Sequence, residues 1–524
     1  MNLKRNAFVA IVLLLGTALN LRSQSKPQFE KTIELPKALN KTMINETYEL
    51  GTSYAFVARR WAKGNQLFII DKSSGEELYE SEYDLGSDGF ITEVAAYNGK
   101  LHVFVHKKVD ESVMEDMGGY PQEIWEWIIN DRGEVVSKKP FISFESSPIK
   151  NPYAFVSRPD INRFVILSGY IEGTGQNRIM LADSLGNILQ SGTIEVANSA
   201  LEFIKMARRF LNVHLSYIDF EGNFYVSSKD SYFTIYRRVN NFESENFNLP
   251  EDELPVGCAF SGTQIMELNE DTILITTDVV KLEDNDVGEN STYAQTYLNK
   301  KKEVLIGSMT MVFSQIESRV LSHSFTFFNA ENREYSFPTV AEVDDNKIVL
   351  EQYVSSKTYL LPNSKFLKVT EMNLSTPYNY YADYLVLACY HADGSLLWIR
   401  PVDKWQGKYY AMASRETFES YDLSLRDGKL ILLFQQGNVP KSEIGKLKGH
   451  VSTKRLVKKA NLKMYSLDLK TGEFLAENSF SQEACSPYSL MPTYGYFGKP
   501  RFKELFLFYD WEAKRNVLGR LSFN

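Results

Sequence analysis

The chain has 524 residues, of which 44% are apolar, 13% aromatic and 24% charged, so it contains enough apolar material for a packed core and is not a disordered polymer. The net charge of −8 argues against general nucleic-acid binding, and an anionic partner would need a local basic patch. The three cysteines, Cys258, Cys389 and Cys485, are too few for a disulfide-stapled scaffold. Three buried thiols are the favoured interpretation, and one disulfide with a free thiol is the alternative.

The N-terminus has the order of a secretory signal. Lys4 and Arg5 precede the apolar run Phe8–Leu15, which gives way to small and polar residues. The run is shorter than the ~20 residues of a membrane span, so an uncleaved anchor is the alternative, and no later segment is apolar enough for a span. We therefore expect a signal peptide over residues 1–25 and an exported protein, periplasmic or extracellular, formed by residues 26–524.

After the signal, the chain consists of short β-rich runs bounded by Gly, Asn and Asp, which predicts an all-β protein. Two series of turns recur in parallel. The first series precedes strongly apolar strands: 98–100 before LHVFV, 162–163 before FVIL, 221–223 before FYVSS, 270–271 before TILIT, 345–347 before IVL, 427–429 before LILLF and 502–504 before LFLFY. The second series links the strands of hairpins: Asp71–Gly75, Asn130–Gly133, Asp183–Gly186, Val239–Asn241, Asn329–Asn332, His391–Gly394 and Asp468–Gly472.

Two interleaved series with one shared period predict a β-propeller, in which four-stranded blades stack radially and each buries the apolar face of its neighbour. Division of residues 26–524 by eight gives about 62 residues per blade, whereas seven blades would need about 71, so eight blades are preferred and seven are the alternative. Two stacked β-sandwiches would need a central linker, and the sequence has no Pro/Gly/Ser-rich linker there.

The two ends of the chain predict how the ring closes. The last two predicted strands, Glu504–Tyr509 and Asn516–Phe523, have no further strand after them, while Phe29–Leu35 offers one at the mature N-terminus. Pairing of these segments would complete the eighth blade and remove an open edge.

The hairpin corner Leu467–Gly472 resembles the D-x-x-T-G-x-x-x-W repeat of PQQ-like, quinoprotein-type propellers, whose closing Trp docks between blades. Trp398 follows Gly394 at that spacing, and Tyr79 follows Gly75. The resemblance implies the propeller fold. Enzymatic members would imply a quinone cofactor and calcium, whereas the non-enzymatic members are binding scaffolds; the chain lacks the adjacent cysteines typical of the enzymes and a lipobox cysteine. No cofactor is expected.

Few residues suggest catalysis or metal binding. There is no Gly-x-Ser-x-Gly elbow for nucleophilic hydrolysis. His102 and His106 are spaced to share one side of a strand and a metal, but the apolar residues between them favour partly exposed structural histidines. Asp284–Glu289 has the start of a calcium-loop pattern without its later Gly and Glu, which favours a solvated acidic loop.

Two surface groups are the candidate partner-binding residues. Lys441–Lys463 is rich in basic residues on an acidic protein, which suits an anionic polysaccharide, lipid head group or protein, with a solvated flexible loop as the alternative. An aromatic group suits sugar rings or peptide, with packing between blades as the alternative. The candidate residues are Lys454, Arg455, Lys458 and Lys459 from the first group and Tyr380, Tyr381, Trp405 and Tyr409 from the second.

These observations predict an exported, non-catalytic propeller that binds a protein or glycan partner through its loops. A secreted glycosidase or lyase on the same scaffold is the alternative, and a quinoprotein-like redox enzyme is a third hypothesis. The fold does not choose among them, because function on such a scaffold resides in the site.

Overall fold

The computed structural model describes residues 28–37, 39, 43–60, 64–82, 85, 89–107, 120–146, 153–158, 162–171, 176–194, 216–227, 232–283, 302–327, 351–375, 379–409, 421–436, 460–486, 488–490, 505–510 and 512–522. These residues form eight four-stranded antiparallel sheets, which are the blades of a propeller. The all-β class, the propeller and the eight blades predicted from the sequence are confirmed. In the described part of the chain, no helix is long and apolar enough to cross a membrane.

Blades one to four contain β2 Met43–Glu49, β3 Ser53–Arg60, β4 Gly64–Asp71 and β5 Glu77–Glu80; β6 Phe90–Tyr97, β7 Lys100–His106, β8 Tyr120–Ile129 and β9 Val135–Ser146; β10 Tyr153–Arg158, β11 Arg163–Ile171, β12 Gln176–Ala182 and β13 Ile188–Ile194; β14 Ser216–Ile218, β15 Phe224–Ser227, β16 Tyr232–Arg237 and β17 Glu243–Asn248. Short 3₁₀ turns cover Arg238–Asn240 and Glu251–Glu253.

Blades five to seven contain β18 Cys258–Asn269, β19 Thr272–Glu283, β20 Lys302–Ser314 and β21 Arg319–Phe327; β22 Glu351–Leu361, β23 Lys365–Ser375, β24 Asn379–Tyr390 and β25 Leu396–Tyr409; β26 Asp422–Arg426, β27 Lys429–Gln436, β28 Asn461–Asp468 and β29 Phe474–Phe480. Blade eight contains β30 Tyr488–Leu490, β31 Phe506–Asp510, β32 Arg515–Ser522 and the N-terminal β1 Gln28–Glu34. One α-helical turn, Gln482–Cys485, lies between blades seven and eight.

The ring closes through its two termini, as predicted. β1 pairs antiparallel with β32, and the register joins Phe29 to Leu521 and Glu34 to Val517. The Leu35 amide continues the ladder by donating to the Asn516 carbonyl at 2.9 Å. Because β1 lies at the end of the order β1-β32-β31-β30, the first strand of the chain completes the last blade.

The core consists of apolar layers between neighbouring blades. On β7, Leu101, Val103 and Val105 pack in a cluster with blade one, while Phe104 packs on the opposite side in a cluster with blade three. This follows from the alternation of side chains along a strand, which gives every strand two apolar faces when its blade is covered on both sides. The first strands of adjacent blades also contact each other, for example β18 and β22, and so surround the centre of the ring.

In blades one to seven, the two hairpins of a blade turn at the same end, which we call the hairpin face. In blade seven, the Leu469 amide in the second hairpin donates to the Gly428 carbonyl in the first hairpin at 3.0 Å. The opposite end, where second strands pass to third strands and the chain passes to the next blade, is called the loop face.

Two hairpin turns of the structure were not among the predicted turns. The second hairpin of blade five turns at residues 315–318, and the first hairpin of blade six turns at residues 362–364. The predicted turns at Asn329–Asn332 and 345–347 lie outside the described residues. The observed turns contain no glycine: Ser318 has φ 52°, and Asn363 has φ 64°. The turn at 315–318 also contains no Asp or Asn, whereas the turn at 362–364 contains Asn363, a signal that the predicted series did not include.

The three cysteines form no disulfide with one another. Cys389 and Cys485 are buried, as predicted, but Cys258 is half-buried. Burial raises the pKa of the Cys389 thiol to about 11 and that of the Cys485 thiol to about 12. Both thiols are therefore protonated at neutral pH, and the prediction of three buried thiols is wrong only for Cys258.

The corner Asp468–Gly472 belongs to blade seven and has a structural role. The Asp468 carboxylate accepts hydrogen bonds from the Lys470 amide at 2.9 Å and the Thr471 amide at 2.8 Å, and Gly472 has φ 69°. These bonds lower the pKa of Asp468, with the Thr471 amide as the largest cause. Asp468 and Gly472 therefore shape the turn, as the sequence predicted.

Trp398 of blade six docks on this corner. Its indole Nε1 donates to the Leu469 carbonyl at 3.0 Å, and a Cβ on Gly472 would come within 2.5 Å of the indole ring. Arg400 supports the contact by donating from Nε to the Gly472 carbonyl at 2.8 Å. The glycine therefore serves both the left-handed backbone and the close approach of the neighbouring blade.

Deletion of Phe29–Leu35 tests the closure of the ring. The deletion leaves β32 with an unpaired edge, so we expect aggregation and a large loss of soluble protein relative to residues 26–524. Size-exclusion chromatography and thermal unfolding of the two chains measure this. A soluble, equally stable deletion product would contradict the closure.

Substitution of Trp398 tests the docking contact. We expect Trp398→Ala to lower the free energy of unfolding by about 3–5 kcal/mol, because it removes a buried indole. Trp398→Phe keeps most of the packing and loses one hydrogen bond, so a loss of about 1 kcal/mol beyond the packing change is expected. Urea denaturation measures both, with Leu396→Ala, an exposed position on the same strand, as the control. Equal losses in Trp398→Ala and the control would contradict the docking role.

Candidate functional site

Polar side chains on the first strands connect neighbouring blades around the centre of the ring. The Tyr48 hydroxyl on β2 donates to the Val94 carbonyl on β6 at 2.7 Å, and it also contacts the Glu46 carboxylate. The Ser157 hydroxyl on β10 donates to Glu93 on β6 at 3.1 Å. Blades one, two and three are thus joined by polar contacts at their innermost strands.

Arg158, at the end of β10, extends this set of contacts across three blades. Its guanidinium donates to the Ile218 carbonyl on β14 at 3.0 Å and to the Glu267 carboxylate on β18 at 2.7 Å. It also lies 5.0 Å from the centre of the Tyr217 ring. Arg158 is buried, and Glu267 is partly exposed. A planar, always-charged group with several donors suits this bridging position.

The contacts continue to blades six and seven. The Gln264 side chain on β18 bonds to the Ser356 carbonyl and accepts from the Thr358 amide at 3.1 Å, both on β22. The Lys357 ammonium lies 5.2 Å from the centre of the Tyr421 ring in blade seven. We call these contacts, from Tyr48 to Lys357, the inner belt. The polar groups of the inner belt bond one blade to the next, which is a structural use of charged residues near the channel.

His102, one of the two candidate metal-binding histidines, is paired with a buried glutamate. His102 is buried, and its Nδ1 lies 2.8 Å from Oε1 of Glu126, while its ring stacks on Tyr97 with centroids 3.6 Å apart. The expectation of a partly exposed histidine is wrong for His102, because Glu126 on β8 offers it a buried partner. The expectation holds for His106, which is half-buried. No group of three or more potential metal ligands occurs among the described residues.

Glu126 is the centre of this buried group. Burial by itself raises the pKa of Glu126, but hydrogen bonds and charges from His102 and Lys139 outweigh burial and lower it overall. The Lys139 ammonium lies 3.0 Å from Glu126. Burial and the Glu126 charge raise the pKa of Tyr97. The group lies on the side of blade two that faces blade three, so it serves packing between these blades.

The structure describes the backbone positions of the aromatic candidates. Tyr380 and Tyr381 lie on β24, and the register pairs Tyr380 with Lys408 and Asn379 with Tyr409 on β25. Trp405 pairs with Asp383 on the same two strands. These positions lie toward the loop-face end of blade six, where β24 begins and β25 ends.

The basic candidates Lys454, Arg455, Lys458 and Lys459 lie outside the described residues, as does Asp284–Glu289. Their segment joins β27 to β28, and Gln436 pairs with Asn461 where the two strands end. The strand ends that flank this segment therefore lie on the loop face of blade seven, beside blade six. The inner belt was not predicted from the sequence. The sequence feature that could have indicated it is an isolated charged residue at the end of a strand of apolar and small residues, such as Arg158 at the end of β10.

The fold defines the chain as an eight-bladed β-propeller. No protein-family profile matches the chain, and no curated protein matches it. Among solved structures, it is similar to quinohemoprotein alcohol dehydrogenase ADHIIG from Pseudomonas putida, with 11% identity over 95% of this chain and 76% of that chain and a TM-score of 0.40.

Two further solved structures are similarly distant. The WD40 domain of SCAP from fission yeast shares 8% identity over 94% of this chain and 98% of that chain, with a TM-score of 0.38. BamB from Moraxella catarrhalis shares 9% identity over 78% of this chain and 94% of that chain, with a TM-score of 0.28. At such scores, these resemblances carry no conclusion about activity or partner, and the fold rests on the sheet topology.

Glu126→Gln tests the buried group by its pH dependence. A carboxylate whose folded-state pKa is lowered stabilises the fold above its unfolded pKa of 4.5, and the contribution disappears as the pH falls through the folded value. We expect the variant to be less stable by about 3 kcal/mol at neutral pH, because Lys139 and His102 lose their partner. Urea denaturation across pH should show this difference narrowing below about pH 4.5. A constant difference would contradict the role of the charge, and Glu76→Gln, an exposed position, is the control.

Proposed function

We propose that this chain is an exported, non-catalytic propeller that binds an anionic glycan through the loop face of blades six and seven. The sequence allows a protein or a glycan partner, and the aromatic positions favour the glycan. Aromatic rings offer flat apolar area with a polar tip for a sugar ring, and lysine and arginine pair with its acid groups.

The observation that carries the proposal is that the aromatic backbone positions and the strand ends that flank the basic segment lie on one face of neighbouring blades. The backbones of Tyr380 and Tyr409 lie near the loop-face end of blade six, and the strands that flank Lys454–Lys459 end on the same face of blade seven. A basic segment on a chain of net charge −8 concentrates positive potential at one place and attracts an anionic polymer.

The inner belt supports a scaffold over an enzyme. Arg158 and Glu267 bond to each other across blades, and Glu93 accepts a hydrogen bond from Ser157. These groups bond one blade to the next, so they already have a structural role. We therefore place partner binding on the loop face. The glycosidase or lyase alternative would need two carboxylates about 5–10 Å apart that act on a substrate.

The test compares two variants of equal charge. The first is the quadruple alanine variant of Lys454, Arg455, Lys458 and Lys459. The second is the quadruple alanine variant of Lys100, Arg132, Lys429 and Lys470, four exposed residues on the hairpin face. Binding of a fluorescently labelled polyuronate and of an uncharged glucan is measured at low and at physiological salt.

We expect the loop-face variant to bind the polyuronate about tenfold or more weakly than the unsubstituted chain, and the hairpin-face variant to bind it normally. Binding should weaken as salt rises, because exposed charges are screened. Trp405→Ala should weaken binding without changing this salt dependence. Equal loss in both quadruple variants, or no binding of the polyuronate by the unsubstituted chain, would overturn the proposal. Turnover of the polyuronate would instead identify the enzyme alternative.

A further inference from the structure

The boundary between blades five and six is built differently from the other boundaries. Among the described residues, each of the other seven boundaries contains one apolar cluster. Blades five and six share two smaller clusters, one around Phe366 and Tyr390 and the other around Val280 and Val386. Polar residues, which we call the polar layer, lie between the two clusters on β19 and β23, whereas Ile399 on β25 packs against both clusters.

The strand alternation shows how the layer arises. On the side of β19 that faces blade six, Leu274 belongs to one apolar cluster and Val280 to the other, with Thr276 and Asp278 between them. On the facing side of blade six, Phe366 is followed at alternate positions of β23 by Lys368 and Thr370. Polar residues therefore replace the middle of the apolar face on the second strand of each blade.

An ion pair crosses this layer. The Lys368 ammonium lies 2.8 Å from Oδ1 of Asp278, and both side chains are almost completely buried, at 1% and 0% exposed. Oδ2 of Asp278 accepts a hydrogen bond from the Ser356 hydroxyl at 2.6 Å, and Oδ1 accepts one from Thr370 at 3.3 Å. Burial lowers the pKa of Lys368, and the Asp278 charge opposes that shift.

Hydroxyl contacts extend the layer toward the hairpin face. The Thr276 and Thr358 hydroxyls lie 3.1 Å apart across the boundary, and the Ser308 and Tyr390 hydroxyls lie 2.5 Å apart. Hydroxyl, carboxylate and ammonium groups thus meet in the middle of this boundary.

The energetic consequence concerns separation of the two blades. Exposing an apolar cluster to water costs about 25 cal/mol for each Å² of apolar surface. Polar groups that separate recover hydrogen bonds to water, so a typical intramolecular hydrogen bond contributes only about 1 kcal/mol net. A desolvated ion pair likewise regains its hydration on opening. Separation therefore costs less at this boundary than at one filled by a single apolar cluster.

We propose that the boundary between blades five and six is the opening seam of the ring, at which blades one to five and blades six to eight separate transiently, so that the uncovered sheets of blades five and six lose packing support and their ladders open locally. The Asp278–Lys368 pair is the latch of the seam. Opening moves β18 and β22 apart, breaks the bonds of Gln264 to Ser356 and Thr358, and gives water access to the latch. At the opposite side of the ring, blades one and eight stay together through their shared apolar cluster and the β1–β32 ladder.

Hydrogen exchange of the full chain, followed by mass spectrometry, tests the seam. We expect the amides of β19 and β23 to exchange at least about tenfold faster than those of the equivalent second strands β3 and β27. Uniform exchange of the second strands of all blades, or faster exchange in β3 or β27, would overturn the proposal. This comparison needs no substitution and so does not depend on a variant folding.

Two matched double variants test the latch. Asp278→Leu with Lys368→Met fills the layer with apolar side chains, so exchange in β19 and β23 should slow by about tenfold. Glu371→Leu with Lys404→Met replaces the other strongly buried ion pair of blade six, on the side that faces blade seven, and should leave exchange in β19 unchanged. Slowing in all blades by the first variant, or equal slowing of β19 by the second, would overturn the latch.

Discussion

Every blade of this protein must cover both of its faces, and this requirement governs the rest of the structure. A four-stranded sheet with two apolar faces is stable only between two neighbours, so the stack has no natural end until it closes on itself. Closure by β1 in blade eight meets this requirement by a backbone ladder instead of side-chain contact alone. The first described strand thus belongs to the last blade, so blade eight is built from both ends of the described chain.

Both faces of every blade are covered, so the blades differ mainly in which residues fill the boundaries between them. Blades six and seven share a large apolar cluster, and Trp398 adds a hydrogen bond to the next corner. Blades five and six share a split core with Asp278 and Lys368 in its middle. A buried ion pair adds little net stability compared with apolar residues, but it is costly to leave half-paired. The apolar boundary of blades six and seven therefore resists separation. The polar boundary of blades five and six fixes how the two blades pair but costs less free energy to separate.

The architecture was largely predictable because it depends on local signals. Corners such as Asp468–Gly472 reveal themselves by the residues that their turn geometry needs, and their spacing gives the repeat. Prediction failed where another residue adopts the same geometry, as at Ser318, which has φ 52° in a turn without glycine. The inner belt was not predictable for a different reason. Arg158 and Glu267 lie far apart in sequence, and only the closed ring brings them to 2.7 Å.

The docking position four residues after the corner glycine shows what the quinoprotein-type resemblance means. In blade six the position is Trp398, whose indole donates to the corner of blade seven at 3.0 Å. In blade three the same position is Gln190, whose amide donates to the Arg238 carbonyl at the corner of blade four at 2.7 Å. Both side chains solve one geometric problem, which is to satisfy a turn carbonyl of the next blade with a donor from the outer strand. The Trp of the repeat is therefore one solution to blade stacking, and its presence here is explained without any cofactor over the channel.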